Sequence, residues 1–278
     1  MKLLVIVDGE EYSRRAAEVA ARFAVNTWAD VTILGLQASG DRPEPRLVGV
    51  LEGIHRLFLG TDSPYGTELL TATRSIGDGT WEMTRDDDGR KLLRVIIRHG
   101  EDSRVALNQA REDDVDFLII GSARGNDPQW GGDIRLPQRV VTNASCSSLV
   151  VKAGGATTTL ACCLDQTRVS QESLEIVNQL VTIHRAELKI LGLSRTKERD
   201  EKIHATIMEV LRYYAERGIR AWLRLVEPDE LPGYARELSR TGMLGLWFGK
   251  QSFLRKIFSP NHLEKILEVA ESSVLILK

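Results

Sequence analysis

Two tandem α/β domains, each a doubly wound and mainly parallel five-stranded sheet, are predicted by three features of this 278-residue sequence. Short apolar runs alternate with amphipathic segments along the chain, the pattern of repeated β-α-β units. The chain repeats itself at a fixed offset. Its length suits about two domains of ordinary size.

The repeat is legible by eye. Sliding the chain against itself by 157 residues places Ala29–Leu36 on Ala186–Leu193, with five of the eight positions identical. At the same offset Leu3 meets Leu160, Asp8 meets Asp165, Ser13 meets Ser170 and Glu18 meets Glu175. Further on, Gly121 after Phe117–Ile120 matches Gly249 after Leu246-Trp247-Phe248, an offset of 128. The two offsets differ by 29 residues, which the first copy carries between Gln37 and Arg90. Leu149–Lys152 matches Leu275–Lys278, so the second copy ends with its last strand. The chain therefore divides into residues 1–152 with an insertion at about 38–90, a linker at 153–156 whose small residues suit a joint, and residues 157–278.

The elements follow in order. Residues 2–7 are an apolar run fit for a buried parallel strand. Ser13 is a candidate cap for a helix whose apolar face is Ala16, Ala20, Phe23 and Ala24. Strands at 30–36 and 91–97 come next, then a helix from about Ser103 with Val105, Ala106 and Ala110 inward. Strand 116–120, a helix at about 135–143 and strand 147–152 complete the first copy. In the second, strands are expected at 160–164, 187–193, 219–226, 243–248 and 273–277, with helices at 171–183, 199–217, 230–239 and 260–270. Within the insertion, Leu51–Leu59 and a segment around Leu69 read as helical. Trp81–Thr84 and Lys91–Arg94 flank Asp87-Asp88-Gly89, a hairpin signal that would add an antiparallel strand to the sheet edge. Ligands of such sheets sit beyond the carboxyl ends of the strands.

Composition narrows the function. The chain is 42% hydrophobic and 27% charged with a net charge of −2, so no bulk field draws it to nucleic acid or an anionic membrane. No apolar run approaches the roughly 20 residues of a membrane span, and Met1 leads into a strand-like stretch rather than a signal peptide. The expectation is a soluble, cytoplasmic protein. Cys146, Cys162 and Cys163 make no disulfide framework and read as small buried hydrophobes. His55, His99, His184, His204 and His262 are scattered without ligand spacing, so no metal is expected. Asp86-Asp87-Asp88 and Glu112-Asp113-Asp114 read as solvated carboxylates. Gly245–Ser252 superficially resembles a phosphate loop, but its spacing is wrong and it follows the fourth strand, not the first. Phe253, Leu254, Ile257 and Phe258, with Arg255 and Lys256, form an amphipathic patch that is either core or a partner surface.

Val5–Glu10 followed by Ser13 resembles the opening of a universal stress protein domain. Ile120-Gly121-Ser122 after the fourth strand and Gln138–Ser147 before the last strand resemble later segments of the same family, and Leu254–Phe258 and Ala270–Ile276 fall at the corresponding places of the second copy. The resemblance implies an adenine nucleotide α-hydrolase-like fold, a role in stress response or signalling, and dimerisation along the last strands. Here strands 147–152 and 273–277 would pair as an intramolecular pseudo-dimer, and the expected partner is a protein or a second copy.

In ATP-binding members the loop after the fourth strand reads Gly-x2-Gly-x9-Gly-Ser/Thr, with an acidic residue after the first strand near the adenosine. Glycines there let backbone N–H groups approach phosphate oxygens. Asp8 and Gly121 match, and Ser122 follows. The second glycine falls on Arg124, with Gly125 one place late; the third falls on Ile134 and the hydroxyl residue on Arg135. In the second copy Asp165 and Gly249 match, Ser252 lies near the second glycine, the loop is about two residues shorter, and Pro260-Asn261 replaces the final pair. A β-branched Ile obstructs a phosphate and a Pro removes a donor. These departures predict a non-enzymatic regulatory or interaction module that has lost ATP and needs no cofactor. The alternative is a sensor of ATP, AMP or another anion at the first domain, with Arg124 and Arg135 supplying guanidinium groups. Salt bridges to Asp127 or Asp133 are the competing reading of those two arginines. A phosphotransfer or adenylyl-transferring enzyme would share the sheet, but no catalytic constellation supports it.

Overall fold

In the computed structural model the chain divides into two compact units, Met1–Ala153 and Gly154–Lys278. The structure describes residues 1–38, 40–86, 89–100, 103–123, 130, 135–152, 157–164, 169–193, 197–227, 230, 233–234, 237–238, 242–248, 266–267 and 270–278, without the side chains of 193 and 197–203.

The first unit runs β1 (Lys2–Val7), α1 (Glu11–Thr27), β2 (Asp30–Gln37), α2 (Pro45–Arg56), β3 (Ala72–Gly77), β4 (Thr80–Thr84), β5 (Leu93–His99), α3 (Ser103–Glu112), β6 (Phe117–Ser122), α4 (Leu136–Asn143) and β7 (Ser147–Lys152). Its strand order is β7-β6-β1-β2-β5-β4-β3. The first five are parallel and the last two antiparallel. Leu3–Val7 are buried on both faces, as a central parallel strand requires, and every residue of β6 and β7 is buried. Alanines at 16, 17, 20, 21 and 24 leave the inner face of α1 short, so the helix lies close to the sheet and Phe23 reaches Phe117 with ring centroids 5.0 Å apart. Each such buried aromatic contributes about 2–3 kcal/mol of apolar transfer.

The insertion departs from its sequence reading in three ways. Its helix is α2, which starts at Pro45, ahead of Leu51, because proline suits a first turn. The segment around Leu69 is not helical, and Leu69 is exposed. The expected antiparallel pair exists as β4 with β5, but Thr80–Met83 pair with Val95–Arg98 rather than with residues 91–94, and Asp87 and Asp88 lie outside the described residues. A second hairpin joins β3 to β4 through Gly77, Asp78 and Gly79, all with positive φ.

The second unit contains β8 (Thr159–Leu164), α5 (Gln171–His184), β9 (Glu187–Leu193), α6 (Lys197–Ala215), β10 (Ala221–Val226), β11 (Met243–Trp247) and β12 (Val274–Leu277). Its order is β10-β9-β8-β11-β12, all parallel. Of the helices expected at 230–239 and 260–270, residues 233–234, 237–238 and 266–267 are helical, residues 230 and 270 are not, and the others lie outside the described residues.

The ladders correct one equivalence between the copies. Leu3 pairs with Phe117, and its repeat partner Leu160 pairs with Met243. Phe117 therefore corresponds to Met243, an offset of 126, the same offset that relates Leu149 to Leu275. By this register Gly121, opposite Val151, corresponds to Trp247, opposite Leu277, and not to Gly249. Hydrogen-bonded pairing fixes register, whereas a glycine match does not. The second copy therefore carries a tryptophan where the motif has its first glycine.

Candidate functional site

The carboxyl ends of β1 and β6 lie side by side in the first unit, through pairing of Ile6 with Ile120. Asp8 leaves β1 here. Its Oδ1 accepts the Ser13 hydroxyl at 2.6 Å and the Glu10 N–H at 3.0 Å, and its Oδ2 accepts the Tyr12 phenol. The Asp8 N–H donates back to Ser13 Oγ at 3.1 Å. Ser13 is thus not the cap of α1: it lies inside the helix and holds the carboxylate. The N-cap is Glu10, in extended conformation, and its side chain makes no cap bond. Its repeat partner Ser170 does cap, accepting the Ser173 N–H on α5 at 3.1 Å. Burial pushes the Asp8 carboxyl above the usual aspartate range, and hydrogen bonds from Ser13, Tyr12 and the Glu10 N–H pull it back. Three of the roughly four acceptor positions of this carboxylate are therefore used within the chain.

Gly121, the next-to-last residue of β6, lies against the start of α1. A Cβ here would meet the backbone of Tyr12, whose carbonyl carbon would lie 2.7 Å away. The glycine serves close approach of strand and helix. Its carbonyl accepts the indole N–H of Trp130 at 3.0 Å. Trp130 is only 2% exposed and stands 5.7 Å from the Tyr12 ring. An aromatic side chain of the loop after β6 thus covers the strand end where the family motif places phosphate. Ser122 is buried, with its hydroxyl donating to the Ala123 carbonyl at 3.4 Å. Opposite it in the ladder, the buried Lys152 donates to the same carbonyl at 3.5 Å.

Of the other predicted residues, Arg135 is exposed at the N-cap of α4, ahead of Pro137. Arg124 and Gly125 lie outside the described residues, as do Asp165, Gly249 and Ser252. The structure thus brings together Asp8, Gly121 and Ser122. Sequence reasoning missed Tyr12 and Trp130, although a lone tryptophan in a loop of Gly, Asn, Asp, Pro and Gln is a signal for an anchor. In the second unit Trp247 is 1% exposed at the position of Gly121, and α5 begins at Gln171, three residues later by the 157-residue offset than α1. A helix start as early as that of α1 leaves no room for a side chain at this strand end.

Beside the Asp8 turn, a cleft of about 410 Å³ opens between the start of α1 and α2, over Gly49 and Gly53. Its Arg46 is already engaged, donating to Glu10 Oε1 at 3.1 Å and to the Gly9 carbonyl at 3.3 Å. Cys162 and Cys163 are buried, and burial pushes the Cys162 thiol well up, which disfavours the reactive thiolate. Among the described residues no cluster of His, Cys, Asp and Glu can hold a metal, and no helix is long and apolar enough to cross a membrane.

Comparison with known proteins bears on the family and the fold. The sequence profile of the universal stress protein family matches residues 1–152. No curated protein is significantly similar to the chain. Among solved structures, a universal stress protein from Archaeoglobus fulgidus DSM 4304 is similar with a TM-score of 0.61 at 12% identity, covering 100% of this chain and 98% of that one. A functionally unknown protein from Pseudomonas aeruginosa PAO1 has a TM-score of 0.57 at 15% identity, covering 100% and 92%. The cytoplasmic domain of a prokaryotic cation chloride cotransporter has a TM-score of 0.54 at 11% identity, covering 99% and 94%. At these identities the likeness shows the fold alone.

Proposed function

Since the chain belongs to the universal stress protein family, we propose that it is a non-enzymatic regulatory or interaction module of stress response or signalling, in which indole side chains have replaced nucleotide. One observation carries the reading. Trp130 is buried over the end of β6 with its N–H on the Gly121 carbonyl, and Asp8 is engaged by Tyr12, Ser13 and Glu10. A triphosphate docking in the family manner would have to displace the indole and break bonds to a buried carboxylate. Each buried hydrogen bond lost costs about 1–3 kcal/mol. In the second unit the buried Trp247 stands where the first has Gly121. Association through strands 147–152 and 273–277 and a cytoplasmic location belong to the same reading.

The test is calorimetric titration of the full chain with ATP, AMP and inorganic phosphate, together with chromatography of the supernatant after denaturation. The expected result is no saturable binding and no co-purified nucleotide. Micromolar ATP binding that is lost in Arg124→Ala or Arg135→Ala would establish the anion sensor instead.

A further inference from the structure

Three large apolar side chains exposed to solvent lie in one strand. On β10, Trp222 is 62% exposed, Leu225 60% and Leu223 37%. The strand ends the sheet of the second unit, and among the described residues β9 is its one ladder partner. An open edge is a template for another strand, and proteins usually blunt it with lysine, proline or a bulge. Ala221–Val226 contains neither lysine nor proline, and its pairing with β9 runs unbroken from Ala221↔Leu188 to Val226↔Leu193.

The first unit treats the equivalent edge differently. β5 pairs with β2 there as β10 pairs with β9. The outer side of β5 is closed by antiparallel β4, with Trp81 opposite Ile97 and Met83 opposite Val95, both β4 side chains buried. The insertion that supplies β4 has no counterpart in the second copy. This fold therefore accepts an antiparallel strand with inward apolar residues at this edge, and among the described residues the second unit leaves the place open.

We propose that β10 pairs antiparallel with β10 of a second copy of this chain, about a twofold axis at Leu223. A twofold axis normal to the sheet sets each residue opposite one of the same parity. Centred on Leu223, the register sets Leu223 against itself, Ala221 against Leu225 of the second copy, and Trp222 against Arg224 of the second copy. One face gains a row of apolar pairs and the other gains two indole–guanidinium pairs. Arg224 is already held 4.4 Å over the Tyr234 ring. The neighbouring registers fail on charge. Centring on Arg224 sets two guanidinium groups face to face, and centring on Trp222 sets Arg220 against Arg224 twice, and like charges directly opposite destabilise a sheet.

Sedimentation of the full chain across a concentration series tests this. A dimer is expected. Leu223→Lys, which places two ammonium groups opposite one another, should weaken it by about a hundredfold, and Trp222→Ala by about tenfold. Circular dichroism identifies a variant that has failed to fold. Independently, Leu223→Cys in a Cys146→Ser background should form a disulfide-linked dimer under mild oxidation, and Trp222→Cys should not. A monomer at every concentration overturns the proposal and leaves the edge to an extended segment of another protein. A dimer that survives in folded Leu223→Lys, with no cross-link through Cys at 223, also overturns it, because the copies then meet elsewhere, the last strands included.

Discussion

The indole of Trp130 donates its N–H to the Gly121 carbonyl at 3.0 Å, so a side chain of the loop occupies the end of the strand that the loop follows. In this family's pattern the loop wraps a ligand with its backbone. Here it folds a large ring inward against Tyr12 instead. Trp130 is thus part of the first unit's core, and its contribution becomes measurable as stability.

Trp130→Ala should destabilise the first unit by about 3–5 kcal/mol, the usual cost of deleting a buried aromatic. Trp130→Phe, which keeps a ring beside Tyr12 but loses the hydrogen bond, should cost about 1–2 kcal/mol. Urea unfolding measures both. Adding ATP to Trp130→Ala should leave its midpoint unchanged, because the Asp8 acceptors stay engaged. A midpoint that rises with ATP would mean that the indole alone closes the site.

Gly121→Ala separates two roles of a motif residue. A methyl group here meets the Tyr12 backbone, which cannot swing aside as a side chain would. The expected loss is about 1–3 kcal/mol from overpacking, read as a lower urea midpoint. A glycine kept only for phosphate approach would tolerate alanine without loss.

The parallel sheet was legible because its strands are buried on both faces, which writes them as continuous apolar runs such as Leu3–Val7. β3 escaped because all six of its residues are exposed and carry no alternation, although Asp78-Gly79 gave a turn signal. Asp8 and Gly121, picked out by type, do lie at neighbouring strand ends, each held by local geometry. It was misread at Ser13, since a hydroxyl near a helix start caps in one copy and holds a carboxylate in the other. The equivalence of Gly121 with Gly249 failed because Gly245, Trp247 and Gly249 offer competing anchors, and only the pairing of Leu160 with Met243 decides among them.

The insertion behaves as part of the first unit's core. Tyr65 is buried, its phenol donates to the Ala29 carbonyl at 2.6 Å, and its ring meets Phe58 edge-on at 5.8 Å. Tyr65→Phe should cost about 1–3 kcal/mol by orphaning that carbonyl, and Phe58→Ala about 3–5 kcal/mol. Both should lower the same transition that Trp130→Ala lowers. An insertion that unfolds separately would give a distinct earlier transition instead.

His55, on α2, makes the first unit sensitive to acid. It is 1% exposed and its Nε2 has no hydrogen-bond partner. Burial, then the positive charges of Arg85 and Arg56, depress it from 6.5 to about 4. The native state keeps the imidazole neutral while the unfolded chain takes up a proton near pH 6.5. The stabilisation is therefore whole above pH 6.5 and is lost as the pH falls toward 4. Between pH 7 and pH 5 the loss amounts to about 2 kcal/mol. Asp8, whose carboxyl burial raises, takes up its proton more readily in the native state and offsets part of this loss, so His55 is isolated by comparing variant with wild type. In His55→Phe the urea midpoint should stay nearly level between pH 7 and pH 5, while the wild-type midpoint falls. If both fall together, another group carries the acid sensitivity and His55 is not the titrating residue.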